Sequence, residues 1–504
     1  MSVLKRLASD TAVYGISSIL SRLINYVVMT PFLTRLFAPE EFGVVTDLFV
    51  YAGFLTLLFT YRMDTAFFRF GRNETDRDRV FATSLLAILA TSAILAVSLF
   101  LFSDVLARAM YYGNHAEYLW WLAGIVGLDA LCMIPFARLR LENKPFRFAG
   151  IKLINILINT ITLVFFLKIL PDALKNNSSS WLLQLPQPTS RVSYVFIANL
   201  LASGVTLLLL SPVFTTINWR FDTKTFREMY KYALPLLIVS IAGMINEVLD
   251  RTLLKFLLEG NVQERMAQVG IYSACYKLPT LMMIFTTAYN YAAEPLFFSH
   301  ADRSDAPTLY ARSAHAYFLV AAVGMLGILL FTDTILLQLI GKDFRGGLAI
   351  VPILLLANLF FGLYNNFSIW YKLKDKTSVG SYIAIGGAVI TLIINVLFIP
   401  KFGYMASAYA TLLCYGFQCV ATYWLGQRHY PVAYPIRRMA VYVAAVFGLY
   451  FIHHIIKINS TNIDNSAFAT QLIANFTLFI LFIITMFYFE RIRAGGLFYN
   501  LKKA

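Results

Sequence analysis

Residues 231–258, KYALPLLIVSIAGMINEVLDRTLLKFLL, form an apolar run of membrane-spanning length that also carries charge. Within it, Glu247, Asp250 and Arg251 follow the i, i+3, i+4 spacing that places side chains on one face of an α-helix. A charged side chain in lipid is costly, so such groups usually face protein or water. The stretch therefore predicts a membrane helix with a polar face, to which Asn246 also contributes.

The next apolar run, residues 270–298, reads GIYSACYKLPTLMMIFTTAYNYAAEPLFF and also contains polar and charged residues. Lys277, Asn290 and Glu294 lie among its apolar residues. Ionisable and amide groups in two consecutive spans predict a polar cavity between the two helices.

The composition of the whole chain agrees with a membrane protein. Hydrophobic residues make up 59% of the sequence, charged residues make up 14%, and the mean hydropathy is +0.67. These values lie far from those of a soluble domain, and the apolar runs match the thickness of a bilayer core. We predict an all-α polytopic membrane protein with about fourteen transmembrane helices.

The net charge of +15 reflects topology. Most of the 42 Lys and Arg residues fall in the two termini and in the alternate loops on the same side as the termini, as the positive-inside rule expects for cytoplasmic segments. The chain is therefore predicted to lie in the bacterial cytoplasmic (inner) membrane with both termini in the cytoplasm. With the charge explained in this way, nucleic acid is excluded as a partner.

Sequence signatures of catalysis and of cofactor binding are absent. The four cysteines lie in apolar runs without a CxxC pair, and neither HExxH nor GxxxxGK[ST] occurs. The longest loop, residues 170–191, holds no His and only one acid, Asp172, so it offers no pair for general acid–base chemistry. We predict that the chain is not an enzyme and has neither a cofactor nor a bound metal.

The first apolar run, residues 11–33, has a polar stripe that includes Arg22 and Asn25. Arg22 lies about 16 Å from the start of this run, near the middle of the bilayer. It either binds carbonyl groups between helices or faces a hydrated cavity. Asp129 and Lys152 lie inside later spans, where they either pair with each other or line the cavity.

Two stretches resemble the flippases that export lipid-linked polysaccharide units, including those for O-antigen and capsule, in the multidrug/oligosaccharidyl-lipid/polysaccharide exporter superfamily. In the first stretch the matching residues are Ser21, Arg22, Pro31, Leu33, Thr34, Arg35, Pro39, Glu40, Glu41, Phe42 and Gly43. In the second they are Asp250, Arg251, Gly270, Tyr272, Lys277, Leu278 and Pro295.

The two stretches are also weak internal counterparts, since each has an acidic connection followed by a helix that begins with Gly. Six spans separate them, which implies parallel repeats of six helices. We predict two six-helix lobes around a central cavity, at residues 1–217 and 218–437. Residues 438–504 add two transmembrane helices and a cytoplasmic tail.

The resemblance implies translocation of polyprenyl-diphosphate-linked oligosaccharide by alternating access, with membrane lipids and other polysaccharide assembly proteins as further partners. Cations suit the diphosphate and amides suit sugar hydroxyls. The predicted cavity residues are Arg22, Asn25, Asn246, Arg251, Lys277 and Asn290. The candidates for ion coupling are Glu247, Asp250, Glu294 and Asp129.

Two other functions stay open at this point. One is an ion-coupled small-molecule (multidrug) antiporter of the same superfamily, although basic groups within the spans favour an anionic substrate. The other, less favoured, is a membrane polysaccharide polymerase or acyltransferase, for which the sequence offers no catalytic group.

Overall fold

The fold, given by a computed structural model, is helical throughout the part of the chain that the structure describes. No β-strand occurs in that part, so the predicted all-α class is confirmed. The described residues are 19–20, 23–113, 115–175, 190–214, 219–374, 376–460 and 467–492.

Eleven helices of the described residues are long and apolar enough to cross a membrane, which confirms a multi-pass membrane protein. Two further helices, Val262–Ser299 and Tyr404–His429, have 38 and 26 residues but more polar sequences. Residues 1–18 and 21–22, which include ten residues of the first predicted span (11–33), lie outside the described residues. The count of fourteen spans therefore stays a prediction.

By their packing, the helices form two compact units. The first unit comprises Met1–Ile24 and Leu36–Gly270, and the second comprises Asn25–Arg35 and Ile271–Ala504. This grouping describes which helices pack together. The division into 1–217, 218–437 and 438–504 concerns repeats along the chain and stays a prediction.

The first unit is built around α6, in which 56% of the most apolar segment is buried. Helices α2, α4 and α9 pack against it, and α10 packs against α2. Asp222 caps α10 by accepting hydrogen bonds from the backbone N–H groups of Lys224 and Thr225. The helices of the unit are α2 (Pro39–Thr60), α3 (Met63–Phe70), α4 (Glu74–Leu101), α5 (Ser103–Ala109), α6 (Glu117–Leu141), α7 (Pro145–Val164), α8 (Leu170–Lys175), α9 (Arg191–Leu210), α10 (Thr223–Leu257) and the start of α11 (Val262–Ser299).

Two glycines allow α2 and the start of α11 to approach each other closely within the first unit. A Cβ on Gly43 would lie 2.0 Å from the carbonyl oxygen of Met266, and one on Gly270 would lie 2.0 Å from that of Pro39. Real atoms do not come so close, so both positions require glycine. Gly43 and Gly270 belong to the two stretches that resemble the flippases, and they meet here.

The second unit has an inner and an outer set of helices. In α12, 61% of the most apolar segment is buried, against 17% in α17 and in α18, which both pack on α12. Most of the surface of α17 and α18 is therefore not covered by other helices, as expected for helices that border lipid. The helices are α1 (Thr30–Leu36), the rest of α11, α12 (Ala306–Phe331), α13 (Val351–Phe367), α14 (Ile369–Leu373), α15 (Thr377–Phe402), α16 (Tyr404–His429), α17 (Ile436–Ser460) and α18 (Ala467–Ile492).

An ion pair holds α17 to the connection after α12. Lys457 Nζ lies 2.7 Å from the Asp333 carboxylate, and His453 Nε2 lies 3.6 Å from it. Interaction with His453 and with Lys457 lowers the pKa of Asp333 to about 2. Asp333 lies two residues after the end of α12, so the ion pair ties the end of α12 to α17.

Candidate functional site

The polar residues that the sequence predicts on α10 differ in their exposure. Asn246 is 8% exposed and Asp250 is 4% exposed, whereas Glu247 is exposed. Arg251 lies between these extremes. The predicted polar face is therefore a boundary, with buried groups on one side and an exposed carboxylate on the other.

Arg251 keeps its guanidinium close to its own helix. Its Nη1 lies 3.5 Å from the carbonyl oxygen of Glu247, to which it donates, and 4.0 Å from Asp250 Oδ1. The Asp250 carboxylate also accepts a hydrogen bond of 2.8 Å from the backbone N–H of Arg251. The side chain of Arg251 is 13% exposed, so this cation has little access to solvent and belongs to a mostly apolar membrane-spanning segment.

One turn further along α10, Lys255 forms an ion pair with Asp47 of α2 that is completely buried. Asp47 also accepts a hydrogen bond of 2.6 Å from the Tyr112 hydroxyl. Lys255 Nζ donates to the Tyr51 hydroxyl at 3.1 Å and lies 4.7–4.9 Å from the ring centroids of Tyr51, Tyr112 and Phe256. Both charges are thus enclosed by partners, which makes the pair a fixed joint between α2 and α10.

This pair was not predicted from the sequence, although both residues leave a signal there. Asp47 is the one carboxylate in the apolar run of α2, and Lys255 follows Arg251 by four residues. A charge in an apolar run needs a partner, and the two charges have opposite sign. The sequence alone does not identify which residues pair.

Asp129 and Lys152 have partners other than each other. Asp129 Oδ1 accepts a hydrogen bond of 2.7 Å from the Ser203 hydroxyl of α9. Lys152 Nζ lies 4.5 Å from the ring centroid of Phe136. Asp129 and Lys152, which both lie in the described part of the chain, form no close ion pair, but their charges still interact electrostatically. The hydroxyl and the aromatic ring add closer contacts to this longer-range interaction.

In the second unit, the predicted residues of α11 are polar but not gathered at one point. Lys277 Nζ lies 4.8 Å from the ring centroid of Tyr26. Asn290 and Glu294 line a small cavity of about 50 Å³. Glu294 Oε1 lies 2.8 Å from Lys372 Nζ, and both side chains are substantially exposed. Asn290 and Glu294 therefore share a site that Lys277 does not join.

The predicted residues divide between the two units. Arg22 and the side chain of Asn25 lie outside the described part of the structure. No cluster of three or more His, Cys, Asp or Glu residues that could hold a metal ion occurs within the described ranges. The first unit holds Asp129, Asn246, Glu247, Asp250 and Arg251, and the second holds Lys277, Asn290 and Glu294.

A helical chain with many apolar spans, some of which carry charged groups, is a polytopic membrane protein. Residues 7–301 match the family described as "Polysaccharide biosynthesis protein", and the chain belongs to this family. Comparison with curated protein sequences found no significant match.

The chain shares its fold with two solved structures. A structure titled "Lipid II flippase MurJ, inward closed conformation" matches with a TM-score of 0.70 and 15% identity, covering 95% of this chain and 99% of that one. An inward-facing multidrug resistance MATE family transporter of the MOP superfamily matches with a TM-score of 0.63 and 14% identity, covering 86% and 99%. At such low identity the likeness concerns the fold.

Proposed function

We propose that the chain translocates polyprenyl-diphosphate-linked oligosaccharide units across the cytoplasmic membrane for surface polysaccharide biosynthesis, by alternating access. The observation that carries this proposal is Arg251, a cation in a mostly apolar membrane-spanning helix, where it contacts the Glu247 carbonyl oxygen and the Asp250 carboxylate. Membership of the polysaccharide biosynthesis family and the fold shared with a lipid II flippase support it.

In this proposal the cations bind the diphosphate, and the amides bind the sugar. Arg22, Arg251 and Lys277 neutralise the phosphate charge, for which the planar guanidinium is well suited. Asn25, Asn246 and Asn290 hydrogen-bond the sugar hydroxyls. Lys255 is not a ligand in this scheme, because Asp47 and three aromatic rings enclose it.

Glu247, Asp250, Glu294 and Asp129 are the candidates for ion coupling. A carboxylate couples to transport when its affinity for a cation differs between the two states of the transporter. Glu247 and Asp250 lie within one turn of Arg251 on α10, so a cation bound to them would change the electrostatic potential at the proposed diphosphate site. Asp250, Glu294 and Asp129 interact with Arg251, Lys372 and Ser203 respectively, so a coupling ion at any of these carboxylates competes with an existing contact.

The proposed mechanism has two lobes, residues 1–217 and 218–437, that rock about a central cavity. Residues 438–504 add two peripheral helices. Both termini lie in the cytoplasm, the membrane is the bacterial inner membrane, and other polysaccharide assembly proteins act with the chain.

The test is transbilayer movement of a fluorescent polyprenyl-diphosphate oligosaccharide in liposomes that contain the purified protein. Arg251→Gln should reduce the rate by about tenfold or more, because a charge-assisted hydrogen bond contributes about 1.5–3 kcal/mol. The matched control is Arg108→Gln, which neutralises an exposed Arg of the same unit and should leave the rate unchanged.

Equal rates for Arg251→Gln and Arg108→Gln would remove Arg251 from the substrate path. If the folded wild-type protein moves no such lipid but exchanges a cationic drug for protons or sodium, the antiporter function replaces the one proposed.

A further inference from the structure

The second unit contains a basic cavity of about 1000 Å³ that the proposed transport function does not use. Arg312 of α12 and Arg437 and Arg438 of α17 line it, together with His315, Tyr434 and Glu490. All of these residues belong to one compact unit. We call this site the basic cavity.

The three arginines leave the basic cavity with an uncompensated positive charge. Within the described residues, Arg312, Arg437 and Arg438 form no ion pair, and all three are exposed. The one carboxylate of the lining, Glu490, is occupied by His315 Nε2 at 3.1 Å and by the Tyr442 hydroxyl at 2.9 Å. An anion that enters the cavity therefore meets guanidinium groups whose donors are available.

A second observation points to a ligand. His315 lines the cavity and is 4% exposed, yet its Nδ1 has no hydrogen-bond partner among the described residues. A buried polar atom without a partner is uncommon in a finished core and is often satisfied by a bound group or by water. The lining thus combines three cationic side chains with one unsatisfied ring nitrogen.

The ends of the helices set the depth of the basic cavity. Arg312 lies in the second turn of α12, Arg437 and Arg438 lie in the first turn of α17, and Glu490 lies in the last turn of α18. These three spans end where the hydrocarbon core gives way to the layer of lipid headgroups. Because most of the apolar surface of α17 and α18 is left unburied by the packed helices, lipid is expected to surround both helices up to the cavity.

We propose that the basic cavity binds a phosphate group, supplied by the headgroup of an anionic phospholipid at the membrane surface. Arg presents paired N–H donors to phosphate oxygens, and basic pockets between transmembrane helices suit phosphorylated headgroups. The first turns of α12 and α17 add the partial positive charge of two helix N-termini. This site is separate from Arg251 and does not depend on the proposed transport function.

The test measures binding of a fluorescent short-chain phosphatidylglycerol to the purified full-length protein in detergent. Unlabelled dioctanoyl phosphatidylglycerol, inorganic phosphate and dioctanoylglycerol, which lacks phosphate, serve as competitors. Arg312→Gln and Arg438→Gln should each raise the Kd about tenfold, as expected for loss of one charge-assisted contact. The matched control, Arg491→Gln, removes an exposed Arg of α18 that does not line the cavity and should change the Kd by less than about twofold.

Competition by phosphatidylglycerol alone would support a lipid as the source of the phosphate. Competition by inorganic phosphate, lost in the same two variants, would support the phosphate site but assign it to a soluble anion. Equal affinity of Arg312→Gln, Arg438→Gln and Arg491→Gln would overturn the proposal, as would equal competition by dioctanoylglycerol. Circular dichroism and gel filtration of each variant establish that a change in Kd does not reflect unfolding.

Discussion

Replacing Lys255 with Met tests whether the buried ion pair stabilises the first unit. The substitution keeps most of the side-chain volume but leaves the Asp47 carboxylate without its counter-ion at a position of 0% exposure. Removing one partner of a buried ion pair destabilises a protein by about 3–5 kcal/mol. Since 1 kcal/mol shifts the Tm of a domain of this size by about 2–4 °C, we expect a fall of roughly 6–20 °C.

The assay is thermal unfolding of the purified protein in one detergent, followed by tryptophan fluorescence. Lys231→Met provides the matched control, because Lys231 is an exposed lysine on the same helix. The double variant Asp47→Asn/Lys255→Met removes both charges and keeps an oxygen that can accept the hydrogen bond from Tyr112. It should recover about half or more of the loss, as expected for residues in direct contact.

Two results would refute this reasoning. The first is a Tm for Lys255→Met that lies within about 2 °C of the Tm for Lys231→Met, which would mean that the pair has no net effect. The second is a double variant whose loss equals the sum of the two single losses, which would mean that the charges do not interact.

Two further predictions use the same thermal assay. Gly270→Ala should prevent correct packing or lower the Tm strongly, because the added Cβ would meet the carbonyl oxygen of Pro39. The control Gly127→Ala adds a Cβ that has nothing within 4 Å, so it should be neutral or stabilising by up to about 1 kcal/mol. Similar Tm values for the two variants would contradict the close approach at Gly270. Asp333 has a lowered pKa of about 2, so its ion pair contributes stability above the unfolded-state pKa of about 3.9. The Tm of wild type should therefore exceed that of Asp333→Asn from pH 7 to pH 5, and this difference should shrink below about pH 4. A Tm difference that stays constant down to pH 3 would exclude this role for Asp333.

The sequence predicted the helices well because an apolar run must satisfy its backbone hydrogen bonds internally when it enters a membrane. It also predicted that α10 carries an unusual set of polar residues. Local spacing did not predict how far each is buried. Glu247 and Asp250 are one turn apart on the same side of α10, yet Glu247 is exposed and Asp250 is 4% exposed, because the edge of the packed surface passes between them.

Pairing between distant residues was the part that periodicity did not reveal. Asp129 and Lys152 lie on consecutive helices and interact electrostatically, as their signs suggested, but the close contact of Asp129 is a hydrogen bond from Ser203 of a third helix. Lys255 and Asp47 are far apart along the chain, and neither local spacing nor composition connects them. Such partners depend on which helices pack together, and that is a property of the whole unit.

The Asp47–Lys255 pair also bears on how the protein enters the membrane during synthesis. Asp47 precedes Lys255 by about 200 residues, which take roughly 10–40 s to synthesise at bacterial or eukaryotic rates. During that interval α2 and Asp47 have been synthesised but Lys255 has not. Tyr112 is synthesised earlier than Lys255 and can donate a hydrogen bond to the Asp47 carboxylate. An N-terminal fragment that stops before α10 would lack the counter-charge of Asp47 permanently, so the charge balance of the first unit is complete only after α10 has been inserted.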